Sequence, residues 1–332
     1  MELFAFATEQ GLCGYKNMQG KVIIDPQYEG AAFSFLEGLV QVKKSGKWGF
    51  INQQNELIVP YQFDSVFGFV EDCAAVQDSG KWGFFSKNNK LVVPFQFESV
   101  GNFSEGFAAV QDSGKWGFIN KNNEKVIPLQ YDDIKAFSEG LIAVQLDNRW
   151  GFINNKGETI IPFNYESVEN FSEGLAAVSQ FVDGEELWGY IDKNNIIVIP
   201  LQYFGARKFS DGYAAVLKYI NPDNGSDVLY EENGFINPED LKWGYINRNN
   251  ENVIHYIYDD ASAFSEGLAS VSQMIQIDDY THIPKLGFID KHGVIIIPMQ
   301  YEEVYKAFTN GIAIVNQDGK ILFIDKSGKE MQ

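Results

Sequence analysis

The chain has 332 residues, of which 45% are hydrophobic and 15% aromatic, which is enough apolar material for a sizeable core. It carries 26 basic and 45 acidic residues, and the net charge of −19 excludes nucleic acid and anionic membrane surfaces as expected partners. No stretch approaches the roughly 20 apolar residues of a membrane helix, and the first residues lack the basic start of a signal peptide, so a cytoplasmic protein is expected.

A tripeptide, Trp-Gly followed by Phe or Tyr, returns along the chain at a regular interval. The first four full copies are spaced 34 residues apart, the next two follow after 38 and 55 residues, and looser copies begin at Cys13 and Leu286. Such a period predicts one tandem array over residues 1–332, with about eight full repeats and a partial C-terminal one. The tryptophans expected to be structural are Trp48, Trp82, Trp116, Trp150, Trp188 and Trp243.

Each unit is predicted to form three strands, as the copy at 107–131 illustrates. Residues 107–111 form strand A, 116–120 strand B and 125–131 strand C, and no segment has helical periodicity. Gly114 supplies the positive φ that a short A–B hairpin needs. The sequence therefore predicts an all-β protein of antiparallel three-stranded units, each about 34 residues long.

Four recurring residue types predict how the units pack. The tryptophans should be buried by neighbouring units, with Gly117 and its equivalents leaving space for an aromatic ring of the next unit. Pro128 and its equivalents cannot donate to a strand ladder, so strand C should lie at a sheet edge or a bulge. The acidic residue of the recurring Phe-Ser-Glu-Gly segment should close its own loop by accepting backbone N–H bonds. These acidic residues are Glu37, Glu71, Glu105, Glu139, Glu173, Asp211 and Glu266.

The tripeptides preceded by lysine resemble the WG-repeat family, also called KWG after Lys-Trp-Gly. They occur at 47–49, 81–83, 115–117 and 242–244, and the resemblance extends over essentially the whole chain. It implies a bacterial β-rich tandem-repeat protein of a family whose function is mostly unknown. It also implies no catalytic residues that could be carried over.

Two architectures suit such units: an open superhelical solenoid, which is favoured, and a β-propeller, which is the alternative. The unit is short beside the roughly 40–45 residues of a four-stranded propeller blade. Nine A–B hairpins but only eight complete C strands are predicted, and the degenerate copies are the terminal ones, as capping repeats of an open stack would be.

Insertions point to a candidate binding surface. The A–B hairpins of later copies are enlarged at 181–187, 219–242 and 273–285, and equivalent hairpins should lie side by side. Aromatic loops of this kind suit recognition of another protein. The residues expected to contact it are Tyr219, Asp223, Asp227, Tyr230, Phe235, Tyr280 and His282.

Catalytic and metal-binding motifs are not evident in the sequence. The three histidines have no nucleophile or acid at a recognisable spacing, and the Asp- and Asn-rich segment 221–227 lacks the pattern of a calcium loop. The expectation is a protein-binding scaffold that is not an enzyme and has no cofactor or metal. Binding of glycan or cell-wall material through exposed aromatic residues and a purely structural spacer remain the alternatives.

Overall fold

The computed structural model describes residues 3–17, 19–220, 240–276 and 282–331. In these ranges the chain forms 34 β-strands and no α-helix, and neighbouring strands pair antiparallel, which confirms the all-β prediction. Within the same ranges, no helix has the length and apolar character needed to cross a bilayer. The chain divides into two compact units, residues 1–134 with 155–157, and residues 135–154 with 158–331.

The strands of the first unit form consecutive meanders, which we number as blades 1 to 4. Blade 1 consists of β1 (Leu3–Ala7), β2 (Cys13–Asn17) and β3 (Val22–Tyr28). Blade 2 consists of β4 (Gly30–Ala31), β5 (Leu39–Lys44), β6 (Lys47–Asn52) and β7 (Leu57–Phe63). Blade 3 consists of β8 (Ser65–Val66), β9 (Cys73–Asp78), β10 (Lys81–Ser86) and β11 (Lys90–Phe97). Blade 4 consists of β12 (Ser99–Ser104), β13 (Phe107–Asp112), β14 (Lys115–Asn120) and β15 (Lys125–Tyr131), and β16 (Asp133–Ile134) follows it.

The second unit continues the same pattern as blades 5 to 9. Blade 5 contains β17 (Leu141–Leu146), β18 (Arg149–Asn154) and β19 (Thr159–Tyr165). Blade 6 consists of β20 (Ser167–Val168), β21 (Leu175–Val182), β22 (Glu185–Asp192) and β23 (Ile197–Tyr203). Blade 7 consists of β24 (Gly205–Ala206), β25 (Tyr213–Tyr219), β26 (Leu241–Asn247) and β27 (Asn252–Tyr258). Blade 8 consists of β28 (Asp260–Ala261), β29 (Ala269–Gln276), β30 (His282–Ile289) and β31 (Ile295–Tyr301), and blade 9 of β32 (Glu303–Thr309), β33 (Ile312–Gln317) and β34 (Lys320–Asp325).

A fourth strand, absent from the sequence prediction, completes the repeating sheet. In blade 3 it is β8, whose two residues pair with Val76 and Gln77, and a single residue separates it from β7. Two residues are too few to show an alternating pattern, so the sequence predicted a loop there. Four-stranded meanders are the sheets of β-propeller blades, so within each unit the sheets match the alternative architecture and not the favoured solenoid of three-stranded units.

Tight connections explain how four strands fit into a short repeat. Ser45 and Gly46 join β5 to β6 with φ of 52° and 76°, the pattern of a type I′ hairpin turn. Asn55, with φ of 64°, occupies the left-handed position of the B–C turn. Gly114, the turn residue predicted from the sequence, has φ of 73°, which confirms its role. Short turns of this kind leave most of each repeat for its strands.

The glycine of the Trp-Gly dipeptide is required by a close approach inside its own blade. A Cβ built on Gly117 would lie 2.6 Å from the carbonyl oxygen of Ile127 and 2.7 Å from that of Pro128. The register between β14 and β15 shifts at this point, so strand C carries a bulge as well as lying at the sheet edge. The position of strand C confirms the prediction for Pro128. The glycine makes room first for backbone of the same blade, which corrects the expectation of a ring from the next unit.

Neighbouring blades are joined by an aromatic pair that recurs along the chain. The Phe or Tyr that follows Trp-Gly packs edge-on or tilted against the Phe of the next Phe-Ser-Glu-Gly segment. In blades 5 and 6, Phe152 and Phe171 have ring centroids 4.9 Å apart, and both are 1% exposed. The equivalent pairs are Tyr15–Phe35, Phe50–Phe69, Phe84–Phe103, Tyr190–Phe209, Tyr245–Phe264 and Phe288–Phe308. These pairs place the core between blades.

Candidate functional site

The tryptophans are only partly buried, and the ring contacts that the structure shows lie within their own blades. Trp150, at 8% exposure, is buried, and the other five are half-buried. Trp82 stacks on Phe67 at 4.9 Å between centroids, and the guanidinium of Arg207 lies 4.9 Å from the ring centroid of Trp243. Trp150 also lies in one apolar cluster with Val168 and Phe171 of the next blade, and the Phe or Tyr two positions after each Trp is buried more deeply than the indole.

The lysine of Lys-Trp-Gly forms an ion pair with an acidic residue that follows strand C. Lys47 Nζ lies 2.5 Å from Asp64 Oδ1, and the other Asp64 oxygen accepts the backbone N–H of Ser79 at 2.9 Å. Since Ser79 lies in the A–B turn of the next blade, the acid links two blades. Equivalent ion pairs are Lys115–Asp132, Arg149–Glu166, Lys242–Asp259 and Lys285–Glu302.

The acidic residues of the Phe-Ser-Glu-Gly segments also join blades, which corrects the expectation that each closes its own loop. Glu266 accepts the N–H groups of Asn310 at 2.7 Å and Gly311 at 3.0 Å, both in the next such turn, and lies 3.2 Å from Lys326 Nζ. The hydroxyl of Ser265 donates to the carbonyl of Phe308 at 2.7 Å. Carboxylates making the equivalent backbone contact belong to Glu37, Glu71, Glu139, Glu173 and Asp211.

These contacts predict how stability depends on pH. The N–H of Gly311 and the ammonium of Lys326 hold the pKa of Glu266 below its ordinary value. A carboxyl with a lowered folded-state pKa stabilises the fold above its unfolded pKa, and this contribution is lost as pH falls through the folded pKa. Glu266→Gln should therefore lower the thermal midpoint at pH 7, and the difference from wild type should vanish in acid. Circular dichroism melts from pH 7 to pH 3 measure this.

Glu303→Gln is the matched control, because Glu303 is exposed in β32 and accepts no bond from a neighbouring turn among the described residues. Its midpoint should follow that of the wild type at every pH. A Glu266→Gln deficit that is the same at pH 3 as at pH 7 would show that the lost charge is not its cause.

Two of the enlarged hairpins are ribbons that extend beyond the sheets carrying them. In blade 2 the A–B ladder ends one pair past Trp48, at Lys44 and Lys47. In blade 6 it continues three pairs past Trp188, to Val182 and Glu185. Phe181, on this extension, is 61% exposed. Asp183 and Gly184 turn the ribbon with φ of 52° and 93°.

The ribbon of blade 8 is longer and more apolar. It continues four pairs past Leu286, to Gln276 and His282. Met274 pairs with Pro284 and Ile275 with Ile283, so both faces of the extension carry apolar side chains. Met274 and Ile275 are 49% and 37% exposed.

Blades 6 to 8 are packed side by side within the second unit. Tyr190–Phe209 and Tyr245–Phe264 are the aromatic pairs between them. At the hairpin bases, the Gln273 amide donates to the Ile257 carbonyl of blade 7 at 3.5 Å. We call the exposed residues of the two ribbons the hairpin-end surface and define it by this set: Phe181, Asp183, Glu185, Met274 and Ile275.

The contact residues predicted from the sequence are only partly placed. Tyr219 is fully buried and pairs with Leu241 in β25–β26, so its side chain offers no contact surface and the expectation for it is corrected. His282 pairs with Gln276 on β30, and its side chain lies outside the described residues. The other predicted residues lie outside the described ranges altogether: Asp223, Asp227, Tyr230, Phe235 and Tyr280.

Sequence reasoning missed the aliphatic and aromatic residues at the hairpin bases. Phe181, Met274 and Ile275 stand at the start of the insertions, where an alternating apolar pattern continues past the usual six-residue strand. That continuation was the available signal, since it predicts a longer ribbon instead of a loop.

The described residues offer contact surfaces more readily than a reaction centre. Among them, no group of three or more His, Cys, Asp or Glu side chains is placed to hold a metal ion. His255 and His292 are both exposed, on β27 and in the turn before β31. Burial raises the pKa of the Cys73 thiol, which keeps it in its unreactive protonated form.

Comparison with known proteins adds a family and several distant structures. No curated protein matches the sequence. The WD40 domain of SCAP from fission yeast is similar over 98% of this chain and 92% of its own, with 11% identity and a TM-score of 0.46. Citrobacter koseri AztD matches over 100% and 93%, with 12% identity and a TM-score of 0.40. The tricorn protease matches over 99% of this chain at 10% identity and a TM-score of 0.43, and the match covers 42% of the protease chain.

The family evidence comes from the repeat itself. The family described as "WG containing repeat" matches eight segments, at residues 14–48, 48–82, 82–116, 116–150, 150–180, 188–219, 243–273 and 287–320. These segments run from one Trp-Gly position toward the next, so each spans strands of two consecutive blades. Because the matches cover most of the sequence, this chain belongs to the WG-repeat family.

Proposed function

We propose that this protein is a non-catalytic binding module that holds a partner protein against its hairpin-end surface. The observation that carries the proposal is the pair of ribbons in blades 6 and 8, which extend past their sheets and expose Phe181, Met274 and Ile275. Apolar side chains at such exposure form the centre of many protein interfaces, where partner atoms replace water.

Contacts at the base of these ribbons support the proposal that the hairpin-end surface is ordered before a partner binds. The strands under them are held by the aromatic pairs between blades and by the ion pairs Lys242–Asp259 and Lys285–Glu302. The Asp259 carboxylate also accepts the N–H of Met274 at 2.7 Å, which fixes the start of the blade 8 extension. A surface that is ordered before binding loses less conformational entropy when the partner arrives.

The placement of the repeated polar residues supports a non-catalytic role. Acids such as Asp64 and Glu266, with Lys47 and Lys326, are engaged in contacts between blades. Glycan binding through the tryptophans has less support, because the faces of Trp82 and Trp243 already contact Phe67 and Arg207.

The test is affinity purification from cells that naturally express the protein. A Phe181→Ser/Met274→Ser/Ile275→Ser variant should lose the partner that the wild type retains, because three exposed apolar contacts are removed without touching the core. Leu57→Ser/Leu91→Ser is the control, since these residues are 48% and 45% exposed on the edge strands β7 and β11.

The control variant should retain the partner as the wild type does. Circular dichroism spectra of the wild type, the triple variant and the control variant check that each is folded. Retention of every specific partner by the triple variant would refute the hairpin-end surface as the binding site.

A further inference from the structure

The ribbon of blade 6 has backbone edges that no described strand occupies. The short strand β20 pairs with β21 only at Val178 and Ser179, and β23 reaches β22 only as far as Trp188. Beyond these points, Phe181 and Val182 pair only with Glu186 and Glu185 in the part of the chain that the structure describes. Free edge N–H and C=O groups are a template for one more strand.

The ribbon of blade 8 offers no such donors at its base. The N–H of Met274 donates to the Asp259 carboxylate at 2.7 Å. Pro284, which pairs with Met274, has no N–H. The blade 6 ribbon therefore combines, among its described residues, an unoccupied edge with an exposed apolar side chain, that of Phe181.

Charge specifies the chemistry of an added strand. Residues 181–187 of the blade 6 hairpin contain three acidic residues, Asp183, Glu185 and Glu186, and no basic residue. Asp183 and Glu185 are exposed, and neither has an ion-pair partner among the described residues.

We propose that the partner segment bound at the hairpin-end surface is an extended strand in which Lys or Arg alternates with apolar residues. Its backbone pairs with the open edge of the blade 6 ribbon, its apolar side chains cover Phe181, and its cations meet Asp183 and Glu185. Strand addition gives affinity through the main chain and specificity through alternate side chains. Opposite charge favours the encounter and rejects acidic segments. This inference rests on the proposed function and names the chemistry of the partner.

The test uses three fluorescent ten-residue peptides with the full-length protein: alternating Lys and Val, alternating Lys and Ser, and alternating Glu and Val. Fluorescence anisotropy should show binding of the Lys–Val peptide, binding at least about tenfold weaker for Lys–Ser, and none for Glu–Val. Asp183→Asn/Glu185→Gln should weaken the Lys–Val complex about three- to tenfold at low salt, and less at ~150 mM salt.

Asp78→Asn/Asp112→Asn is the matched control, because it removes two exposed or half-exposed carboxylates from the short A–B hairpins of blades 3 and 4. Its affinity should change less than about twofold. Equal weakening by both double variants, equal binding of Lys–Ser and Lys–Val, or no binding of Lys–Val would overturn the inference.

Different outcomes refute the basic-strand inference and the proposed function. If the hairpin-end variant still loses the natural partner while the peptides do not bind as described, only the basic-strand inference falls. If that variant retains every partner, the proposed function falls with it.

Discussion

Replacing Phe152 with Ala should lower the free energy of unfolding by about 3–5 kcal/mol, the range for truncating a fully buried aromatic ring. The ring is 1% exposed and packs against Phe171 of the next blade, so its loss leaves a cavity between two blades. Urea unfolding followed by circular dichroism measures the change. Phe181→Ala is the control, because the same truncation at 61% exposure should shift stability by less than about 0.5 kcal/mol.

A double-mutant cycle isolates the contact between the blades. Phe152→Leu and Phe171→Leu keep apolar volume but remove the edge-on ring geometry, and their coupling energy should be about 0.5–1.5 kcal/mol. Additive effects would show that the two rings contribute by burial alone, and similar losses for Phe152→Ala and Phe181→Ala would contradict the interior position of the pair.

Gly117→Ala should cost about 2–3 kcal/mol of stability, although it adds only one methyl group. The new Cβ would lie 2.6 Å from the Ile127 carbonyl oxygen, and backbone at a bulge cannot move aside as a flexible side chain can. The comparison is Gly101→Ala in the same blade, where the Cβ meets only Ala109 Cβ at 3.5 Å. That variant should change stability by less than about 1 kcal/mol.

Denaturant unfolding of the two glycine variants gives the comparison directly. An equal, small effect at both positions would mean that strand C relaxes away from β14, and the close approach would then not explain why Trp is followed by Gly in this repeat.

The repeat, the strand type and the turns could be predicted because each depends on local chemistry. Glycine and asparagine tolerate positive φ, so their positions in the sequence indicate the turns. Pro128 indicates the edge and bulge of strand C. The fourth strand could not be predicted, because Ser65 and Val66 are too few to show a period of two and are specified by their pairing with β9.

Contacts between residues of different blades could not be predicted from the sequence for a different reason. Nothing near Glu266 in the sequence indicates that it accepts N–H groups of Asn310 and Gly311, 44 and 45 residues away. Trp150 and Phe152 are two residues apart and share one face of β18, so the strand pattern does not show that Phe152, at 1% exposure, lies deeper than Trp150, at 8%.

The sequence predicts a binding surface at the enlarged hairpins, but its residues were chosen by aromatic content. Tyr219 is the last residue of β25 and is fully buried. Phe181 and Met274 hold the equivalent position in their hairpins, two pairs past the strand B position of the Trp, and are exposed. Burial at a hairpin base depends on neighbouring blades, which a single sequence does not show.

Site-specific photo-crosslinking tests the central claim most directly. A photoreactive amino acid placed at Phe181, at Met274 or at Leu57 is activated in cells that naturally express the protein, and the linked proteins are identified by mass spectrometry. The account predicts that positions 181 and 274 capture the same protein through a basic, apolar segment, and that position 57 does not capture it. Capture of that protein from position 57 as efficiently as from 181 and 274 would contradict the account.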